Sequence, residues 1–218
     1  MIKTILFRGV GILLSLFVVV SAVNAQCPGP NDIDPPGFAW THAAIPAIFD
    51  DGNGCTGIID YCVRTLFPYP GPGETTYQSY ILSITYDGCD PNLGTGYLFD
   101  IATEALFKAQ LLALNPAVFP PCDGNYSVNH AGVLKPACWK RTAGSNVLHP
   151  CGISLPDQDA YCIFVCDICL NNGQFYRFNC TNLEHGTSEC QENQAPAKLS
   201  DWASGWCYHI PCGTRPPH

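Results

Sequence analysis

The chain reads as a mainly β fold with one central helix, an α+β arrangement of antiparallel hairpins and meanders stapled by disulfides. Three observations predict it. Aromatic and β-branched runs recur between strong turn signals. One stretch alone, 100–114, carries a convincing helical pattern. Fourteen cysteines, an even number, all lie beyond residue 25.

The first 25 residues are set apart from the fold. Lys3 and Arg8 give a positive start, 9–20 is an apolar run, and Val23 and Ala25 hold the positions a signal peptidase reads. The apolar run is short of the roughly 20 residues of a spanning helix, so a membrane anchor is the weaker expectation. Gln26 before Cys27 argues against a lipoprotein. The expectation is a signal peptide over 1–25, cleaved near Ala25, and a secreted or extracytoplasmic mature domain over 26–218 with no integral membrane segment.

Within that domain, 27–37 is an irregular lead-in with four prolines. The 38–49 segment reads as a strand, with Pro46 suggesting an edge or a bulge. Asp50-Asp51-Gly52-Asn53-Gly54 is turn chemistry, and 55–67 returns as a second strand, so the two form a hairpin. A proline-rich loop, 68–74, leads to a third strand over 77–86.

The helix over 100–114 has Asp100 as its expected N-cap and Asn115-Pro116 as its stop. Glu104 and Lys108 are spaced as an i,i+4 pair. One wide apolar face carries Ile101, Ala102, Ala105, Leu106, Ala109, Leu112 and Ala113. A narrower one carries Phe107, Leu111 and Leu114. A helix so apolar is expected to be covered on both sides. Sub-lobes 26–99 and 116–218 would flank it.

Beyond the helix, 120–151 is loop-rich, with short strand candidates at 126–128 and 132–134. The 160–168 and 174–180 segments flank Leu170-Asn171-Asn172-Gly173, a type I′ turn signal, and form the clearest hairpin in the chain. The last segment, 189–218, is irregular.

Charge limits the partners. Loss of the leader removes Lys3 and Arg8 and leaves eight basic against eighteen acidic residues. That balance lacks the basic footprint nucleic acid requires, so no nucleic acid partner is expected. An extracellular protein or glycan is the expected ligand class.

Cys27, Cys55, Cys62, Cys89, Cys122, Cys138, Cys151, Cys162, Cys166, Cys169, Cys180, Cys190, Cys207 and Cys212 are expected to pair, with connectivity undetermined by spacing. Cys166-Asp167-Ile168-Cys169 has redox and zinc spacing, and Cys162 and Cys180 could complete a ligand set. The exported context favours structural bridges. Asp50, Asp51 and Asn53 resemble a calcium-loop fragment, as do Asp32 with Asp34 and Asp157 with Asp159. None has the distal bidentate carboxylate such loops use. Asn125 and Asn179 begin glycosylation acceptor patterns.

No nucleophile elbow, zincin or phosphate-loop motif occurs, so neither a catalytic residue nor a cofactor is assigned. Among the tryptophans, Trp202 and Trp206 are the expected binding residues, because their tail, rich in proline and glycine, is expected to leave them exposed. The leading expectation is a secreted disulfide-rich binding or structural protein. A secreted hydrolase is one rival. A protease-inhibitor-like or toxin-like module, presenting 68–74 or 150–159 as a rigid loop, is another.

Overall fold

A computed structural model describes residues 26–30, 32–33, 35–70, 74–122, 129–151, 160–186, 190–192 and 194–213. The leader, Asp34, Asn125, the 126–128 strand candidate, Asp157 and Asp159 lie outside them.

One long strand organises the molecule. Strand β4 (Thr75–Asp87) is rich in Tyr, Ile and Thr, side chains that suit a pleated surface. Along one edge it pairs antiparallel with β3 (Thr56–Leu66). Strand β3 in turn carries the short strands β1 (Thr41–His42) and β2 (Ala47–Asp50) on its far edge. The other edge of β4 is divided. Residues 75–80 pair parallel with β5 (Asn129–Pro136), and 84–85 pair antiparallel with β7 (Val147–Pro150). From β7 the sheet continues to β6 (Cys138–Arg141) and β10 (Tyr208–His209). From β5 it continues to β8 (Tyr161–Asn171) and β9 (Gln174–His185). Both halves of the chain thus share one ten-stranded sheet.

The β4–β5 pair corrects the expectation of antiparallel hairpins and meanders alone. It is joined by helix α1 (Thr95–Ala113), which makes a β-α-β crossover.

A bulge changes which residues of β4 face α1. Asp60 opposes Ser83 and Tyr61 opposes Ile81, so Leu82 is the extra residue. Tyr77 and Ile81 face the helix before it, and Ile84 and Tyr86 face it afterwards. Tyr80 and Leu82 point to the opposite side.

Helix α1 begins well before the expected start, with Gly94 rather than Asp100 at its N-cap. Burial decides this. Leu98 and Phe99 are fully covered against the sheet, an apolar gain of roughly 2 kcal/mol each that outweighs the poor cap. Asp100 is therefore no cap and lies inside the helix. The covered stripe runs through Leu98, Ala102, Thr103, Leu106, Phe107 and Gln110, so it crosses both expected apolar faces. Leu112, placed on the main face by periodicity, is 83% exposed.

Two cores result. The larger lies between α1 and the sheet, around Ile59, Ile81, Phe99, Phe107, Trp139 and Phe164. The smaller lies on the other sheet face, where Ile33 of the lead-in and Trp40, just before β1, pack onto Cys62, Tyr80 and Leu134. Buried Arg64 donates to Gln78 Oε1 at 2.8 Å and to the carbonyls of Ile33 and Pro35 at 3.0 and 3.2 Å.

All fourteen cysteines are paired, as Cys27–Cys62, Cys55–Cys89, Cys122–Cys169, Cys138–Cys190, Cys151–Cys207, Cys162–Cys212 and Cys166–Cys180. Every bridge stays within 27–89 or within 122–212. Hydrogen bonds and packing, with no disulfide, join the two parts across β4.

Candidate functional site

Polar chemistry converges at one place inside the helix–sheet layer. Alternation along β5 sends Ala131, Val133 and Lys135 toward α1, and Lys135 is the one charged member of that row. Its side chain is buried, with Nζ 5.3 Å from the ring centre of Phe99. Nζ donates to the carbonyl of Pro211 at 3.0 Å. Asp100 and Thr103 reach the same space from α1, Asn182 from β9, and Gly213 from the C-terminal tail. Between these groups is a partly enclosed cavity of about 20 Å³, enough for one water.

The tail is held over this cavity at three successive residues. Pro211 accepts from Lys135, Cys212 is bridged to Cys162, and Gly213 accepts from Asn182 Nδ2 at 2.6 Å. Gly213 lets the tail approach Asp100 closely, since a Cβ there would lie 2.7 Å from Asp100 Oδ1 and push that carboxylate aside. Burial lowers the Lys135 amine to about 8, and the neighbouring Asp100 charge opposes that shift. Burial raises the Asp100 carboxyl, and Lys135 opposes that in turn. Each group is thereby drawn toward its neutral form.

A second cluster sits on the opposite sheet face. His130 of β5 stands directly across from Asp167 of β8, with Nδ1 and Oδ1 2.9 Å apart. Asn179 Nδ2 donates to the other Asp167 oxygen at 2.8 Å. His130 Nε2 lies 3.7 Å from Glu74 Oε2 and finds no hydrogen-bond partner among the described residues. A hydrolase with a serine or cysteine nucleophile would need a hydroxyl or thiol at that nitrogen; the group the structure places there is the Glu74 carboxylate.

The expected binding tryptophans separate. Trp202 is 4% exposed and its Nε1 donates to Thr95 Oγ1 at 3.0 Å, so its expected exposure is corrected: the α1 start and Tyr208 enclose it. Trp206 is 50% exposed. Cys166 and Cys169 belong to different bridges, Cys166–Cys180 and Cys122–Cys169, so they form no dithiol. Cys162 is bridged to Cys212, which leaves no thiolate for zinc. Asp51 Oδ1 accepts from the amides of Asn53 and Cys55, and Asp50 Oδ1 from that of Gly52, so this calcium-like fragment is a turn. Among the described residues no cluster of His, Cys, Asp and Glu could hold a metal ion. The inhibitor-like loops fall in part on 71–73 and 152–159, outside the described residues.

Sequence reasoning missed Lys135 and gave Asp100 the wrong role. The signal was a lysine in phase with Ala131 and Val133 on a strand otherwise buried on both faces, with His130 alone partly exposed. An acid in a nearly apolar helix was the matching half.

An exposed apolar row also emerges on the outer face of β9. Tyr176, Phe178 and Leu183 are 49%, 40% and 50% exposed. The far backbone edge of β9 pairs with no strand among the described residues. No family model, curated protein or solved structure matches this chain.

Proposed function

We propose that the mature chain works outside the cytoplasm, after cleavage near Ala25, as a disulfide-stapled protein that binds an extended segment of an extracellular protein along β9. The row of Tyr176, Phe178 and Leu183, beside a strand edge that pairs with no strand among the described residues, carries this reading. A peptide added to that edge gains main-chain hydrogen bonds, and alternate side chains supply selectivity. Aromatic anchors suit the task because they bring large apolar area with few rotatable bonds. Seven bridges support the extracytoplasmic setting, since disulfides persist where the environment is oxidising. Among the described residues no helix is long and apolar enough to cross a membrane. Trp206, half exposed, is a candidate for a separate contact.

The test is an array of extracellular peptides and glycans probed with oxidised mature protein. Reproducible peptide hits lost in the Tyr176→Ser/Phe178→Ser double variant, with near-ultraviolet circular dichroism unchanged, support the reading. Hits that survive this variant overturn the β9 surface. Glycan hits alone overturn the peptide ligand.

A further inference from the structure

The Lys135 cavity shares no residue with the exposed row on β9, and its chemistry is of a different kind. A buried amine ordinarily packs against a single counter-ion. Here the amine shares a cavity with a carboxyl, a hydroxyl and an amide, and the tail above it is held by a bridge and two hydrogen bonds. We propose that Lys135 is a nucleophilic amine that forms an imine with a small aldehyde admitted to this cavity, with Asp100 as its proton-transfer partner.

The chemistry balances without any oxidant. The Nζ lone pair attacks the carbonyl carbon and the C–N bond forms. The carbonyl π pair moves onto oxygen, which takes a proton from the Asp100 carboxyl. Asp100 carboxylate then accepts a proton from nitrogen, giving a neutral carbinolamine. Asp100 returns that proton to the hydroxyl, the C–O bond breaks, and water leaves as the C=N bond forms. The last N–H proton goes to Asp100, which is restored. The net change is amine plus aldehyde to imine plus water.

Each group suits its step. Only the neutral amine is a nucleophile. A lysine tuned toward neutrality by burial holds on the order of a hundredfold more free amine at pH 7 than an exposed one. A carboxyl raised by burial is a better proton donor near neutral pH than an ordinary one, because more of it keeps its proton there. The cavity volume of about 20 Å³, little more than a water requires, limits the substrate to the one-carbon aldehyde, formaldehyde.

Oxidised full-length mature protein is treated at pH 7 with formaldehyde and cyanoborohydride, which converts the imine to methyl-lysine. Site-resolved mass spectrometry then compares Lys135 with exposed Lys108 in the same molecule. The expected result is initial methylation of Lys135 at least tenfold faster than that of Lys108. The Lys135 rate should level off above pH 8 while that of Lys108 continues to climb. In Asp100→Asn the Lys135 rate should fall several-fold with Lys108 unchanged. Slower labelling of Lys135 than of Lys108, the outcome for a sealed structural lysine, overturns the proposal. An unchanged Lys135 rate in Asp100→Asn overturns the role of Asp100. Because Lys108 is an internal standard in every variant, general unfolding is recognised by Lys135 and Lys108 reacting alike, which also overturns a site built by the fold.

Discussion

Trp202 Nε1 donates to Thr95 Oγ1 at 3.0 Å, and Thr95 Oγ1 in turn donates to the Pro196 carbonyl at 2.6 Å. One hydroxyl thus ties the first turn of α1 to two points of the C-terminal segment. Thr95→Val keeps the shape and removes both bonds, leaving a buried indole N–H unpaired. Stability should fall by about 2–3 kcal/mol. Guanidinium unfolding checks this through a lowered midpoint at constant slope; a loss below about 0.5 kcal/mol would place Trp202 elsewhere.

Non-reducing peptide mapping should return Cys166 with Cys180 and Cys169 with Cys122. A Cys166–Cys169 peptide would reinstate the dithiol reading. Paired alanine replacement at 166 and 180, which close a separation of 14 residues, should cost about 3 kcal/mol. The same replacement at 151 and 207, separated by 56, should cost about 4 kcal/mol on the loop-entropy argument.

Lys135 makes stability depend on pH in a definite direction. Its folded value, about 8, lies below the ordinary 10.5, so the fold favours the neutral amine. The contribution is fully present above the unfolded value and is lost as pH falls through 8. Between pH 7.5 and 9.5 unfolding free energy should rise by about 2 kcal/mol from this group. Lys135→Met should flatten that rise in guanidinium titrations across the same window. The buried Tyr80 phenol, raised by burial, acts in the opposite sense only from about pH 10 upward.

Two glycines should differ sharply on alanine substitution. A Cβ at Gly57 would collide with the Phe49 ring and lie 2.5 Å from the Thr85 carbonyl, which is backbone in β4. Nothing there can yield cheaply, so Gly57→Ala should cost about 3 kcal/mol or more, at or above the upper end of typical overpacking. At Gly213 the crowded atom is a carboxylate oxygen that can swing away. Gly213→Ala should cost under about 1 kcal/mol and separate Asp100 from Lys135, with the Lys135 amine driven below 8, readable by NMR titration.

Local signals carried much of the fold. Tyr77, Ile81 and Ile84 announce β4, and Asn172-Gly173 adopt the positive φ of 50° and 76° that the turn signal between β8 and β9 implies. What escaped was non-local. Parallel pairing of β4 with β5 leaves no mark in either strand, because it depends on α1 returning the chain from Asp87, where β4 closes, to Asn129, where β5 opens. The burial of Trp202 escaped for the same reason, since its partner Thr95 is 107 residues away in the chain. Lys135 and Asp100 were each visible in the sequence, but only the packing of α1 on β5 brings them into one cavity.

The division of the bridges also has a mechanical meaning. Because none spans from 27–89 to 122–212, a chain with every disulfide intact can still part along the line between β4 and its neighbours β5 and β7. What opens there is a bare strand edge, which pairs as readily with another molecule's β5 as with its own. Concentrated, partly denatured protein should therefore yield swapped dimers that contain no intermolecular disulfide.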